Sequence, residues 1–150
     1  MPGYVTKDFV LTLKKPDKKD RTFLRARSDS DWANDLKTRK STTVGSITWG
    51  GFLLGYFNRP QEIQALSSPT AEYYAGVSVA AEMLYFQSML EDFGYPVQLC
   101  LECDSSSAIA IASRHGIGKV RHLDVRCMWL QQMVNKKALR IQKIPGLKNT

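Results

Sequence analysis

Three short acidic motifs follow one another along the chain: Ser28-Asp29-Ser30-Asp31-Trp32-Ala33, Ser67-Ser68-Pro69-Thr70-Ala71-Glu72-Tyr73 and Glu102-Cys103-Asp104-Ser105. Each carboxylate falls at an expected boundary between structural elements. Carboxylates drawn together repel one another, so a fold that converges them needs a cation to keep them ionised. Oxygen donors of this kind suit magnesium or manganese in preference to zinc. Metal-assisted chemistry on phosphate is the reaction class that such a donor set serves.

Taken one at a time, the acids have structural uses as well. Asp29 and Asp31 are two apart and face the same way in extended chain, but an Asp-x-Asp after a strand also makes a polar turn. Glu72 falls in the first turn of a helix, where the macrodipole favours a carboxylate. Asp104 is a good helix N-cap. Only their joint placement, at adjoining strand ends and a helix start, singles them out. Glu102 shares a strand face with Asp104 and either joins the acids or extends to solvent. Asp124, in Arg121-His122-Leu123-Asp124, opens a helix and is expected to be structural.

Other motifs weigh less. Cys100 and Cys103, with His115 and His122 downstream, have the outline of a zinc site. Residues three apart on a strand diverge, however, and the histidine spacing is too wide. Lys119 is not followed by Ser or Thr, so the glycines beside it make no Walker loop. Trp32, Trp49 and Trp129 sit at alternating or helical positions and are expected in the core.

The elements that must position the acids can be read from periodicity. Residues 1–22 read as a connector, with a strand-like alternation at Phe9–Leu13 before a charged stretch. Phe23-Leu24-Arg25-Ala26-Arg27 makes a strand that ends at the first acidic motif. Val44–Trp49 and Phe52–Phe57 alternate around Gly50-Gly51, a hairpin signal, so a three-stranded antiparallel meander is expected. Ile63–Leu66 adds a short extended piece. Ser68 as N-cap and Pro69 at the first helical position open a helix to about Phe93, stopped by Gly94 and Pro96. Its apolar face is expected at Ala71, Tyr74, Val77, Ala81, Leu84, Tyr85 and Met89. A strand at 97–103, a helix at 105–113 capped by Asp104, a helix at His122–Asn135 and a strand at 138–144 complete the chain. The strands at 23–28, 97–103 and 138–144 form a parallel part, reached by helical crossovers.

Composition restricts the partners. At 150 residues the chain suits one domain with its own core. No apolar run approaches the roughly 18 residues of a membrane span, and the first eight residues lack the apolar core of a signal peptide. No membrane is expected. Three cysteines cannot all pair, which favours an intracellular compartment, cytoplasmic or nuclear. A net charge of +7 fits a polyanion-binding surface around a metal site.

The ordered motifs Ser28-Asp29-Ser30-Asp31-Trp32-Ala33, Arg39-Lys40-Ser41-Thr42, Ala65-Leu66-Ser67-Ser68, Ala71-Glu72-Tyr73, Cys103-Asp104-Ser105-Ser106-Ser107-Ala108 and Arg121-His122-Leu123-Asp124-Val125-Arg126 strongly resemble the ribonuclease H domain of copia-type retrotransposon polyproteins. The resemblance covers about Phe23 to Thr150, and residues 4–13 look like the connection leading out of a reverse transcriptase domain. It implies an α/β ribonuclease H-like fold: a mixed five-stranded sheet flanked by helices. It also implies cleavage of the RNA strand of an RNA/DNA hybrid. Asp29 would bridge two magnesium or manganese ions, with Glu72 and Asp104 completing one of the two sites. Arg39, Lys40, Ser41, Arg114, His115 and Lys119 are the expected nucleic-acid contacts, and a 2′-hydroxyl would mark the RNA strand. The family's usual Glu-Ala-Glu-Tyr is Thr70-Ala71-Glu72-Tyr73 here, with the second glutamate retained. A fourth carboxylate, in an Ala-Asp motif opening a closing helix, would follow Pro145–Thr150. The 150 residues are therefore expected to lack the last helix, retain one metal half-site and show weak or absent activity.

Overall fold

The computed structural model describes residues 18–33, 35, 37–116 and 123–146, so the alternation at Phe9–Leu13 lies outside the described residues. Five strands form one sheet in the order β3-β2-β1-β4-β5. They are β1 (Phe23–Asp31), β2 (Thr42–Trp49), β3 (Phe52–Pro60), β4 (Gln98–Cys103) and β5 (Leu139–Lys143). β1, β2 and β3 pair antiparallel, and β4 lies parallel between β1 and β5. The helices are α1 (Ser68–Asp92), α2 (Ser106–Ala112) and α3 (Trp129–Asn135), with a 3-10 turn at Val125–Cys127. The expected mixed sheet and its parallel part are both present.

Period-two alternation sets the two faces of the sheet. On β1, Leu24, Ala26 and Ser28 are buried while Arg27 and Asp29 are exposed. The inner face packs on α1, where Val79, Ala80 and Met83 meet Leu24, Ile47, Leu99 and Leu101 in one core. Gly50 and Gly51 both take positive φ (56° and 83°), the backbone of a tight two-residue hairpin that side chains other than glycine resist.

Several boundaries differ from expectation. β1 runs three residues further, to Asp31, because β2 continues to pair with it through Asp31↔Thr42. Ile63–Leu66 is not a strand. The 122–135 helix is broken into the 3-10 turn and the short α3. The face of α1 is as expected only in part: Ala71 and Tyr74 are buried and Val77 and Leu84 pack against the core, but Ala81 is exposed, Tyr85 is 66% exposed, and Val79, Ala80, Met83 and Leu90 are buried instead. Ala71, Ala75, Gly76 and Ala80 all lie on the buried side. The helix therefore approaches the sheet on its small-residue side. Trp32 is half-exposed, its indole donating to the Ala65 carbonyl, while Trp49 and Trp129 are partly buried against the core.

The cap of α1 is Ser67, one residue before the expected Ser68. Its hydroxyl accepts from the Thr70 N–H at 3.3 Å and lies 2.8 Å from the Thr70 hydroxyl. Ser67→Ala is expected to cost about 1 kcal/mol, read by urea denaturation, and Ser68→Ala close to nothing. Equal losses at the two positions would contradict this cap assignment.

Candidate metal centre

β1 and β4 pair in register only as far as Ser28↔Cys103. The next residue on each strand is an aspartate, so Asp29 and Asp104 stand side by side where the strands part. Helix α1 starts nearby and places Glu72 in its first turn and a half. Asp104 does not cap α2. Ser105 takes that role, its hydroxyl accepting from the Ala108 N–H, which leaves the Asp104 carboxylate free for the site.

Donor atoms of Glu72, Asp104 and Cys103 all lie within 4.8 Å of one another. Asp29 is outside that tight group. It faces outward on the strand, its Oδ1 accepting the Ser30 N–H at 2.8 Å. Asp29 and Asp104 instead share a groove of about 750 Å³ with Arg27, Tyr56 and the segment Ile144–Gly146. The segment is held there by the Ile144 N–H, which donates to the Cys103 carbonyl. Gly146 matters locally, because a Cβ would come within 3.0 Å of Asp104 Oδ2.

Electrostatics bind the three acids into one system. Burial pushes the Glu72 carboxyl up to about 7, with the negative charge of Asp29 and then of Asp104 adding to the shift. Ser30 stands close enough to oppose it, yet its hydroxyl makes no hydrogen bond of ordinary geometry. Glu72 Oε2 is likewise buried without a hydrogen-bond partner. Among the described residues no ion pair reaches Asp29, Glu72 or Asp104. A buried acceptor without a donor, flanked by two further carboxylates, fits a bound cation.

Glu102 does not join the acids. It is buried on the outer face and paired with Arg25 (3.4 Å) and Arg27 (2.9 Å), its neighbours across the parallel ladder. Asp31 lies exposed at the end of β1, outside the tight group. The Asp124 N–H donates to the Tyr74 hydroxyl and its carbonyl accepts from Cys127, a structural placement. Cys100 and Cys103 diverge as expected: one thiol meets Arg25 and Gln142, the other Ser105. Cys103 is the member that sequence reasoning missed. Its burial beside Leu99 and Leu101 on the inner face was implied by alternation alone.

The expected nucleic-acid contacts scatter. Arg39 is exposed and Lys40 half-buried in the loop before β2, at the end of the sheet that carries Asp29. Ser41 is fully buried, and its hydroxyl accepts the Ala33 N–H, so it fixes the loop rather than presenting itself to a ligand. Arg114 and His115 are exposed after α2, tied to Asn135 through the Arg114 carbonyl and the His115 ring. Lys119 lies outside the described residues. No helix among the described residues is long and apolar enough to cross a membrane.

No family model matches the chain. It is 31% identical over 128 residues to the retrovirus-related Pol polyprotein from transposon TNT 1-94 of Nicotiana tabacum, a match spanning 84% of this chain and 10% of that protein. It is 26% identical over 141 residues to the retrovirus-related Pol polyprotein from transposon RE2 of Arabidopsis thaliana, spanning 91% and 9%. The chain thus spans about a tenth of the length of the curated relatives it matches. Among solved structures, LC11-RNase H1, isolated from compost by a metagenomic approach, superposes with a TM-score of 0.57 at 17% identity, covering 85% of this chain and 88% of that one. The same protein in complex with an RNA/DNA hybrid gives 0.51 at 16% identity, with the same coverage. Identities this low speak for the fold alone. Relatives in sequence and neighbours in fold agree, and the chain belongs to the retrovirus-related Pol polyproteins of transposons as a domain with the ribonuclease H fold.

Proposed function

We propose that Asp29, Glu72 and Asp104 hold divalent cations, Mg²⁺ or Mn²⁺, and that the site hydrolyses the RNA strand of an RNA/DNA hybrid. The observation that carries this reading is the buried Glu72 carboxyl, whose Oε2 has no hydrogen-bond partner, beside two further acids. The hybrid bound by LC11-RNase H1, a protein of the same fold, supports the substrate. When bound, paired divalent ions activate the attacking water and stabilise the leaving oxygen of a phosphodiester. Asp29 and Asp104 supply exposed oxygens from adjoining strand ends, and Glu72 supplies a buried one from the helix above them. Arg39 and Lys40, at the same end of the sheet, would hold phosphates, with Arg114 and His115 contacting the backbone further along. Contacts to the 2′-hydroxyl would distinguish the RNA strand.

Residues 1–22 are read as a connector from a reverse-transcriptase-like domain, the partner that the resemblance of the motifs implies. For the 150 residues assayed alone we propose weak turnover. The resemblance places a fourth carboxylate after the last strand, and no Asp or Glu follows Asp124 in this sequence. A second reading, a hybrid-binding module without hydrolysis, draws on the outward position of Asp29 relative to the tight group.

A labelled hybrid incubated with the chain in Mn²⁺ separates these readings. The nuclease reading expects slow cleavage confined to the RNA strand and lowered at least about 100-fold by Asp29→Asn. Tight hybrid binding with no cleavage in either protein would favour the module. Robust cleavage indifferent to Asp29→Asn would overturn the assignment of the site.

A further inference from the structure

A hard-ion site has no use for a thiol, yet Cys103 is one of the three groups whose donor atoms lie within 4.8 Å of one another. Its side chain is 2% exposed on the inner face, with the Glu72 side chain opposite it. Two further features mark the spot as built for a ligand. Glu72 is nine-tenths buried and its Oε2 has no partner. The Ser28 side chain, 4% exposed, lies against the Cys103 thiol and lines the same small cavity as Glu72 and Cys103.

We infer that Glu72, Cys103 and Asp104 form a site for a thiophilic divalent cation, such as Zn²⁺ or Cd²⁺, overlapping the hard-ion site and excluding its occupant. The inference rests on the reading of Glu72 and Asp104 as cation ligands and extends it to the ion that can silence them. One sulfur and two carboxylate oxygens make three ligands of a tetrahedral ion, with water in the fourth position. Around such an ion the sulfur and oxygen donors stand about 3.5 Å apart, so closure asks for about 1 Å of movement. Asp104, exposed just beyond the end of β4, has the freedom to supply it. As the metal–sulfur bond forms, the S–H bond breaks and its proton passes to solvent. A thiolate favours zinc or cadmium and disfavours magnesium. Asp29, facing outward and bonded to the Ser30 N–H, takes no part, which is where the two sites differ. Because Glu72 and Asp104 belong to both, a thiophilic ion competes for them with the hard ion that they would otherwise hold.

The test is titration of Cd²⁺ into the full 150-residue chain, followed by the ultraviolet sulfur-to-metal charge-transfer band. A saturable band is expected at one ion per chain, and it should persist in Cys100→Ser and Cys127→Ser. Cys103→Ser should abolish it and lower the ratio of Cd²⁺ to Mn²⁺ affinity at least about tenfold, and Glu72→Gln should weaken Cd²⁺ binding by at least a similar factor. Cadmium NMR of the unaltered chain, which needs no variant to fold, should report one sulfur among oxygen ligands. A band that survives Cys103→Ser, or one indifferent to Glu72→Gln and so due to a lone thiol, overturns the inference. If Mn²⁺ binds and Cd²⁺ gives no band, the inference fails alone. If neither ion binds, the reading of Glu72 and Asp104 as ligands fails with it.

Discussion

Glu72→Gln is expected to make the metal-free protein more stable at pH 8 while removing its capacity to bind divalent ions and cleave. The two effects have one origin. Burial and the charge of Asp29 raise the Glu72 carboxyl from an ordinary 4.5 to about 7. A carboxyl raised on folding is most compatible with the fold when protonated. Its favourable contribution is complete below about pH 4.5 and disappears as pH rises through about 7. At pH 8 the ionised group therefore opposes folding by an amount on the order of 2–3 kcal/mol. Glutamine keeps the shape without the charge, and its amide can donate toward the acids around it. Urea denaturation in chelator should show the variant more stable than wild type at pH 8 and the difference shrinking toward pH 5. Adding Mn²⁺ should stabilise wild type at pH 8 and leave the variant unmoved, since only an ion bound to the native state shifts the equilibrium. Hydrolysis should fall at least about 100-fold. A variant less stable than wild type at pH 8 in chelator would mean that the acids are not under electrostatic strain, and the case for a cation would lose its main support.

How much of this could be read beforehand depends on the range of the interaction that decides it. Strand alternation, the Gly50-Gly51 hairpin and the Ser-Pro start of α1 are local, and each lies close to where the sequence puts it. The face of α1 was only partly placed because the helix is apolar on several sides, and which side meets the sheet is set by contacts far apart in the chain, such as Val79 against Gly45. Asp104 and Ser105 are both good caps, and only the turn of the chain after β4 decides between them. The three acids were recognisable by type and order. That the donor atoms of Glu72, Asp104 and Cys103 gather into one group without Asp29 was not, because it depends on which face each residue takes where β1 and β4 part. Glu102 illustrates the same limit: its arginine partners come from the parallel register of a strand 75 residues away.

The largest expected loss of stability away from the acids is at Gly45. The ring of Phe57 on β3 lies over β2 there, and a Cβ at position 45 would come within 2.5 Å of Phe57 Cζ and 2.8 Å of Val79 Cγ2. Neither neighbour can yield easily. Phe57 packs against the core with the Arg59 guanidinium 4.4 Å from its ring centroid, and Val79 is fully buried on α1. Gly45→Ala should therefore cost about 2–3 kcal/mol, the usual penalty of overpacking, and lower the melting temperature by roughly 5–10 °C. The effect should reach the metal centre. Gly45 pairs with Ser28, and the adjacent Val44 pairs with Asp29, so a displaced β2 carries the first carboxylate with it. Divalent-ion affinity should fall along with stability, although no ligand has changed. Phe57→Leu removes the atoms that collide. Alone it should destabilise modestly, but combined with Gly45→Ala it should recover at least about 1 kcal/mol of the loss. Simple additivity of the two substitutions would show that the cost at Gly45 comes from backbone conformation and not from the ring, and would remove the reason to expect the metal centre to respond.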